Sequence, residues 1–373
     1  MIYHVVTHPD CNLCCEYCCG KSFDEPERDI KFTSTPSSPT YSAKDLAEFL
    51  AKDNDEPVSI IFYGGEPLMN IPFIKEVMDN KEIAKVVDNF LIQTNGTLFD
   101  QLSAEYVNKF HTILVSIDGD KNITNKNRGE GTYEKVIKNL KEIKENGFSG
   151  EIIARMTIEE PTSAFKDVSY LIDNDDFSFS SVHWQLDANM WHDYEKRHFA
   201  EWSKLYNKDI TKLVNLFLAE AKKGRLLRFY PFIGVLNTIL FGELYQLRCG
   251  SGIGNFTIST DGKIVACPIM QGIEDKFLGN IKSTTPQKLP QKLNIGFPCT
   301  ECKDFDLCGG RCLYSNIYPC WPKKGIEELC VTIKHLLREM ERIAPEIQEL
   351  IDNKTISKKD LDFLKYNCCE IIP

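Results

Sequence analysis

The sequence predicts an α/β protein: a partial (β/α)6 barrel of the TIM type followed by a small cysteine-rich domain. Three observations predict it. Short β-branched runs alternate with amphipathic stretches over the N-terminal half of the chain. Polar or glycine-bearing motifs follow the ends of successive strand-like runs. Eight of the fifteen cysteines fall between Cys249 and Cys330. Regular βα alternation calls for a parallel sheet with helices outside it. Six such units make most of a barrel, short of the full eight.

The candidate strands are Ile2–Thr7, Val58–Tyr63, Phe90–Thr94, Ile113–Ile117, Ile152–Ile158 and Val182–Leu186. The candidate helices between them are Ala43–Lys52, Pro72–Met78, Ala104–Lys109, Tyr133–Asn146 and Ala164–Asn174. Ser42, with Asp45 three residues on, reads as a capped helix start, and Ser103 as another. Gly147 follows the fourth helix where a C′ glycine belongs. Lys21–Tyr41 is polar, carries Pro26, Pro36 and Pro39, and reads as a long loop. Residues 194–244 are apolar at helical period and read as a helical connector. The domain reading is therefore a barrel over 1–193, the connector over 194–244, a cysteine-rich domain over 245–340 and a helical tail over 341–373.

The chain of 373 residues, 42% hydrophobic, has enough apolar material for a packed core. No apolar run reaches the length of a membrane span. No basic, apolar signal segment opens the sequence, so a cytoplasmic location is expected. A net charge of −10 argues against a nucleic-acid partner, which calls for a basic face. No membrane partner is expected either.

The cysteines are clustered: five within Cys11–Cys19, none until Cys249, eight to Cys330, then Cys368 and Cys369. An odd count in a long chain without a secretion signal fits metal ligation better than disulfides. Cys11-x3-Cys15-x2-Cys18 supplies three thiolates, one fewer than a four-iron cubane has irons. The remaining iron is left for the amine and carboxylate of an amino acid. Zinc is the competing reading, but it usually takes four ligands from paired Cys-x2-Cys units.

Cys11-Asn12-Leu13-Cys14-Cys15-Glu16-Tyr17-Cys18, with an aromatic residue before the last cysteine, resembles the signature of the radical S-adenosylmethionine (SAM) enzymes. The resemblance implies a catalytic [4Fe–4S] cluster on Cys11, Cys15 and Cys18 and SAM as cofactor. Gly64-Gly65-Glu66-Pro67, after the second strand, is similar to the family's motif for the SAM amino group. Ser116-x-Asp118-Gly119 with Arg128 resembles its motif for the SAM carboxylate and ribose. Asn95, at the end of the third strand, is expected to line the cofactor, with Tyr17 and Leu186 beside the adenine. Cys14 and Cys19 do not fit the three-ligand spacing and read as spare thiols.

Cys249-x12-Gly262-x4-Cys267, then Cys299-x2-Cys302-x5-Cys308-x3-Cys312, then Cys330, resembles the seven-cysteine SPASM domain of peptide-modifying radical SAM enzymes. That likeness implies two auxiliary [4Fe–4S] clusters, hence three clusters in all. Cys299, Cys302, Cys308 and Cys330 would hold the distal one, and Cys249, Cys267 and Cys312 the nearer one. The family's upstream fourth ligand is missing, since no cysteine lies between Cys19 and Cys249. An open iron or an unusual ligand is expected there; Cys320 is a candidate substitute ligand, and Cys368–Cys369 reads either as a surface pair in a short tail or as a pair that reaches back to a cluster. Paired zinc ribbons are the alternative, but seven cysteines do not divide into two four-ligand sites.

The resemblance implies a peptide substrate and a reductant such as flavodoxin or ferredoxin. The expected reaction is hydrogen abstraction from a ribosomal precursor peptide, giving a thioether, a carbon–carbon crosslink or a ring closure. Formylglycine formation, as in sulfatase maturation, is the alternative, and an iron–sulfur electron carrier is the alternative of another class. In the maturases an aspartate follows the domain's second cysteine, whereas Pro268 follows Cys267 here. With the barrel starting near residue 2, no peptide-recognition domain is expected ahead of it. The general base is not assigned; Tyr63, Glu159, His183 and Asp187 are polar groups near strand ends.

Overall fold

The computed structural model describes residues 1–18, 30–53, 57–290 and 292–373. Nine strands form among them: β1 (Ile2–His8), β2 (Ser59–Gly64), β3 (Asn89–Thr94), β4 (Phe110–Ser116), β5 (Glu151–Ile158), β6 (Ser181–Leu186), β7 (Asn255–Ile258), β8 (Lys263–Val265) and β9 (Gly279–Asn280). The helices between β1 and β6 are α1 (Ala43–Leu50), α2 (Ile71–Asp79), α3 (Ala104–Val107), α4 (Lys121–Arg128), α5 (Thr132–Glu145) and α6 (Ala164–Ile172). Beyond β6 come α7 (Phe199–Ala221), α8 (Tyr230–Phe241), α9 (Phe305–Cys308), α10 (Leu313–Ile317) and α11 (Lys323–Asp352).

The sheet order is β6-β5-β4-β3-β2-β1-β7-β8-β9. Successive strands from β1 to β4 pair in parallel, with Ile2 opposite Ser59, Ser59 opposite Asn89 and Leu91 opposite Thr112. On its other edge β1 pairs in parallel with β7, Ile2 opposite Asn255. β8 and β9 follow antiparallel.

The chain divides into two compact units. The first comprises Met1–Ile117, Lys121–Ile153 and Ser251–Asn294. Its strands are near-continuous apolar runs, as parallel strands covered on both faces must be. Tyr3, Val5, Val6, Ile60, Ile61, Phe62, Leu91, Ile92 and Ile113 are all fully buried. A polar pair sits in this layer: His4 Nδ1 meets Asn255 Oδ1 at 2.8 Å, both buried, across β1 and β7. Burial without a partner would cost either group dearly, so the two specify each other.

The second unit comprises Asp118–Asp120, Ala154–Gly250 and Ile295–Pro373. Trp184 of β6 is fully buried at its centre, its ring edge-on to Phe229 and Phe232. Its indole N–H donates to the Tyr206 hydroxyl at 3.0 Å, which satisfies the one polar atom such a ring buries. The 30-residue α11 packs along α7 and α8 with Leu336, Leu337, Met340 and Ile347 inward.

All six candidate strands and all five candidate helices form, with ends displaced by a few residues; β4 begins earlier, at Phe110. The apolar connector resolves into α7 and α8. No sequence pattern marks α4, whose residues Lys-Asn-Ile-Thr-Asn-Lys-Asn-Arg carry no apolar stripe. Nor does one mark β7, β8 and β9, which are too short to show a period of two. Part of the Lys21–Tyr41 loop, like Cys19, lies outside the described residues; within the rest, Phe32 bridges Ile273.

The caps differ from one another. Ser42 Oγ accepts from Asp45 N at 3.2 Å while Asp45 Oδ2 accepts from Ser42 N at 2.9 Å, a full capping box. Ser103 stands at the N-cap of α3, but its side chain makes no capping bond, correcting that expectation. Gly147, at φ +88°, ends α5 with Gly147 N to Lys144 O and Phe148 N to Ile143 O, a Schellman motif. Ser42→Ala is therefore expected to cost about 1 kcal/mol, and Ser103→Ala less than about 0.5 kcal/mol. Urea unfolding of the two variants side by side checks the contrast.

Candidate active site

The end of β2 turns under the loop that leaves β1. Gly65 N donates to His8 O at 3.0 Å and Glu66 N to Asp10 O at 2.9 Å. The backbones are so close that a Cβ on Gly64 would stand 2.0 Å from His8 O, and one on Gly65 2.3 Å from Asp10 O. Only glycine fits at either place, and Gly64 also has φ +150°. The first thing the glycine pair does, then, is fix the stem of the Cys11 loop.

Glu66 is fully buried. Its Oε1 accepts from the Thr94 hydroxyl at 2.7 Å and from Leu68 N at 3.0 Å, and its Oε2 from Asn95 N at 2.7 Å. One carboxylate thus ties the end of β2 to the end of β3. Burial pushes its pKa up to about 7 against the pull of these three donors. With both oxygens engaged beneath the surface, the groups of this motif that can face a ligand are backbone carbonyls.

From β3 the network reaches the cysteines. Asn95 Nδ2 donates to Asn12 Oδ1 at 2.8 Å and to Cys11 Sγ at 3.6 Å. Asn95 Oδ1 accepts from Thr97 N and from the Thr97 hydroxyl, and Asn12 Nδ2 donates to Thr97 Oγ1 at 2.9 Å. Cys11 Sγ also accepts from Leu13 N at 3.4 Å. Cys11 is exposed as a residue, yet desolvation at its sulfur raises its pKa; the Leu13 and Asn95 donors oppose the rise, and the Glu66 and Cys18 charges add to it. Cys18 N donates to Cys15 O at 3.4 Å, closing a turn that holds those two thiols half-exposed.

α4 braces the same loop from the other side. Glu16 N donates to Asn127 O at 3.1 Å, and the Arg128 guanidinium lies 5.4 Å from the Tyr17 ring centroid. Arg128 is buried, and so is the side chain of Asn127, whose two amide atoms have no hydrogen-bond partner among the described residues. An unpaired buried amide next to a buried arginine is a polar pair fit for a ligand carrying both donors and acceptors. Asn12, Thr97 and Asn127 were not singled out in the sequence. The first two lie inside motifs that were read for their neighbours, and α4 has no apolar signal.

The remaining expected contacts are placed as follows. Ser116 is half-buried at the end of β4. Asp118 is buried and accepts from Thr157 N at 3.0 Å, so it serves as a backbone brace. Leu186 is a buried residue of β6. Of the general-base candidates, Asp187 is paired with Arg197 at 2.7 Å, and Arg197 in turn with Asp193. His183 is fully buried, and desolvation holds its pKa well below the usual imidazole range. Tyr63 packs edge-on to His4 at 5.2 Å, and Glu159 is half-buried.

No disulfide joins any two of the fourteen described cysteines. In the second unit Cys299, Cys302, Cys308 and Cys330 feel one another's charge. Burial raises the Cys299 thiol to about 11, with Cys330 and Cys302 adding to it. Burial likewise raises Cys308 to about 11, against the Gly310 N–H and Arg248, while Cys299 and Cys330 push it further up. Cys330 is raised by burial and by Cys302, against Lys334 and Arg311. Four half-buried thiols in one neighbourhood, three of them with raised pKa, suit a group that supplies positive charge on deprotonation. Among the described residues no three His, Cys, Asp or Glu side chains converge as ligands of a single metal ion do. Cys249 and Cys312 lie in this unit too, Cys267 in the first. Cys320 is held at the end of β6, its N–H donating to Asn189 Oδ1 at 2.9 Å.

Residues 5–159 match the Radical SAM superfamily. This chain carries a radical SAM domain. Over 91% of its length it is 24% identical to the radical SAM cyclopropyl synthase TigE of Paramaledivibacter caminithermalis, covering 74% of that protein. Its fold is similar to that of anSMEcpe, an anaerobic sulfatase-maturing enzyme solved with bound AdoMet and a peptide. The TM-score is 0.71 at 22% identity, over 95% of this chain and 99% of that one. Streptococcus suis SuiB, solved with its precursor peptide SuiA, has the same fold at a TM-score of 0.53 and 16% identity, over 83% of this chain and 71% of that one. The radical SAM domain covers the Cys11 loop, Glu66 and Asn95, which the hydrogen-bond network joins, and Arg128 beside Tyr17.

Because the folded pKa of Glu66 lies above the ordinary 4.5, its contribution to stability is full below about 4.5 and is lost as pH rises through about 7. In the cluster-free chain, the stability of wild type relative to Glu66→Gln is expected to fall across that window and level off above it, by about 3 kcal/mol in all. Urea midpoints at stepped pH check the sign. Gly65→Ala forces the β1 exit loop away and is expected to cost about 1–3 kcal/mol. Iron bound to the Cys11 loop should fall with it.

Proposed function

We propose that this protein is a radical SAM enzyme that modifies a ribosomally made precursor peptide. Bound together, the cluster and SAM supply a 5′-deoxyadenosyl radical that takes hydrogen from an unactivated C–H bond of the peptide, giving a thioether, a carbon–carbon crosslink or a ring closure. Everything else is positioning by this chain. Cys11, Cys15 and Cys18 would hold the catalytic cluster on a loop fixed by the glycine pair and by Asn95. Carbonyls of Gly64, Gly65 and Glu66 would meet the SAM ammonium, with Glu66 acting from below. Ser116, Arg128 and the unpaired Asn127 amide would take the carboxylate and ribose, and Tyr17 and Leu186 the adenine.

The observation that carries the peptide reading is the charge coupling that links Cys299, Cys302, Cys308 and Cys330 in one neighbourhood. A SAM-cleaving barrel alone has no use for them; an enzyme that must move an electron after hydrogen abstraction does. Cys249, Cys267 and Cys312 would hold the second auxiliary cluster. A flavodoxin or ferredoxin would supply the reducing electron. No helix among the described residues is long and apolar enough to cross a membrane. The fold likeness to anSMEcpe favours sulfatase maturation as a second reading. Against it, Pro268 opens a 3-10 turn directly after Cys267, where the maturases place an aspartate.

Reconstituted anaerobically and reduced, the protein is expected to cleave SAM to 5′-deoxyadenosine, read by chromatography. Cys15→Ala should bring this to background. Cys302→Ala should keep cleavage but uncouple it from peptide modification. The reverse pattern, or no cleavage by wild type, would remove the assignment and favour an electron carrier. Mass spectrometry of a co-encoded short peptide should show loss of two hydrogens.

A further inference from the structure

The segment Lys365–Pro373 folds back onto the residues around Cys249. Tyr366, Asn367, Cys368, Cys369 and Glu370 are each half-buried or buried, and Asn367, Cys369 and Glu370 are fully so. A Cβ on Gly250 would stand 2.6 Å from the Tyr366 ring, which also packs edge-on to Tyr245 at 6.1 Å. On the other side of Cys249, the Arg248 guanidinium and the Glu370 side chain both lie against Gly234. The residues on either side of Cys249 thus sit by Tyr366 and Glu370, which bracket Asn367, Cys368 and Cys369.

The same segment is tied to the rest of the second unit. Arg155 Nη1 donates to Cys368 O at 2.9 Å, Asn367 Nδ2 to Tyr230 Oη at 3.1 Å, and Cys369 N to Asn367 Oδ1 at 2.9 Å. Tyr366 N donates to Glu370 Oε1, which closes the turn. Within it Tyr366 and Cys368 have φ of +67° and +66°, a left-handed conformation that neither residue type favours. Strain of this kind persists where the surroundings over-determine the backbone, and it clusters at ligand sites. Arg248 also donates to Leu307 O, and Gly309 packs against Tyr245 O, so the backbone on both sides of Cys308 is held to the same place.

We infer that the Cys368–Cys369 pair supplies the fourth thiolate to the iron–sulfur cluster at Cys249. The inference rests on the auxiliary clusters of the proposed function. It replaces the expected open iron by a closed one. The exchange moves no electron: one thiol gives its proton to solvent, its sulfur forms one Fe–S bond, and a water or small thiol leaves that iron. A closed cluster passes electrons and does not anchor the peptide.

The test uses the full chain with Cys11, Cys15 and Cys18 changed to Ala, so that only auxiliary clusters are reconstituted. Iron and sulfide are counted, and EPR is recorded on the reduced protein with and without cyanide. The parent is expected to be indifferent to cyanide. Cys368→Ser or Cys369→Ser should shift the same EPR signal that Cys249→Ser shifts, and should make it respond to cyanide. Unchanged signals in both variants and in the double variant, at undiminished iron and sulfide, would overturn the inference alone. So would a parent that already responds to cyanide, a result that needs no tail variant to fold. A parent without iron and sulfide would sink the auxiliary clusters themselves, and this inference with them.

Discussion

The buried carboxylate of Glu66 is the point on which the site is hung. It takes three donors from two strand ends and leaves Asn95 oriented, so that Asn95 can hold Asn12 and Cys11. The arrangement is a chain of single hydrogen bonds running from sheet to sulfur. Each is modest alone, but leaving a donor unpaired in this dry layer costs about 1–3 kcal/mol. The loop is thereby set by the sheet although it lies outside it. The glycine pair does the same work sterically, by letting two backbones approach to hydrogen-bond distance.

What the sequence could show depended on period and spacing. The strands β1 to β6 were legible because each is an apolar run bounded by turn residues. The cysteine triad and the glycine pair were legible because their spacing is chemical. α4 was not, since its helix is built from asparagine and lysine and is held by contacts: Asn125 Oδ1 accepts from Tyr133 N, and Arg128 lies by Tyr17. β7 was not, since four residues carry no period. The Gly-Gly-Glu-Pro motif marks carbonyls and the Glu66 side chain alike, but that side chain is engaged by Thr94, Asn95 and Leu68. A motif fixes which residues matter, but only packing decides which atom faces outward.

The two halves of the thiol inventory solve different electrostatic problems. The thiols of the Cys11 loop stand half-exposed or exposed, where a cofactor can reach them. Those at Cys299, Cys302, Cys308 and Cys330 are drawn into one neighbourhood, where burial raises Cys299, Cys308 and Cys330. Arg248 lowers Cys308 from within that neighbourhood and touches Leu307, Gly234 and Thr238 at once. One buried guanidinium therefore serves as both charge and scaffold.

The pairing of β1 with β7 has a consequence for biosynthesis. β1 leaves the ribosome first, but one of its two neighbours is β7, and His4 waits for Asn255, 251 residues later. At a synthesis rate of roughly 5–20 residues per second, that delay is on the order of 10–50 seconds. For that interval β1, with the cysteine loop at its end, is a sheet edge with unpaired backbone. The contacts that hold the Cys11 loop come from β2, β3 and α4, all ahead of β7 in the chain, so the loop's cradle can close before that edge is covered.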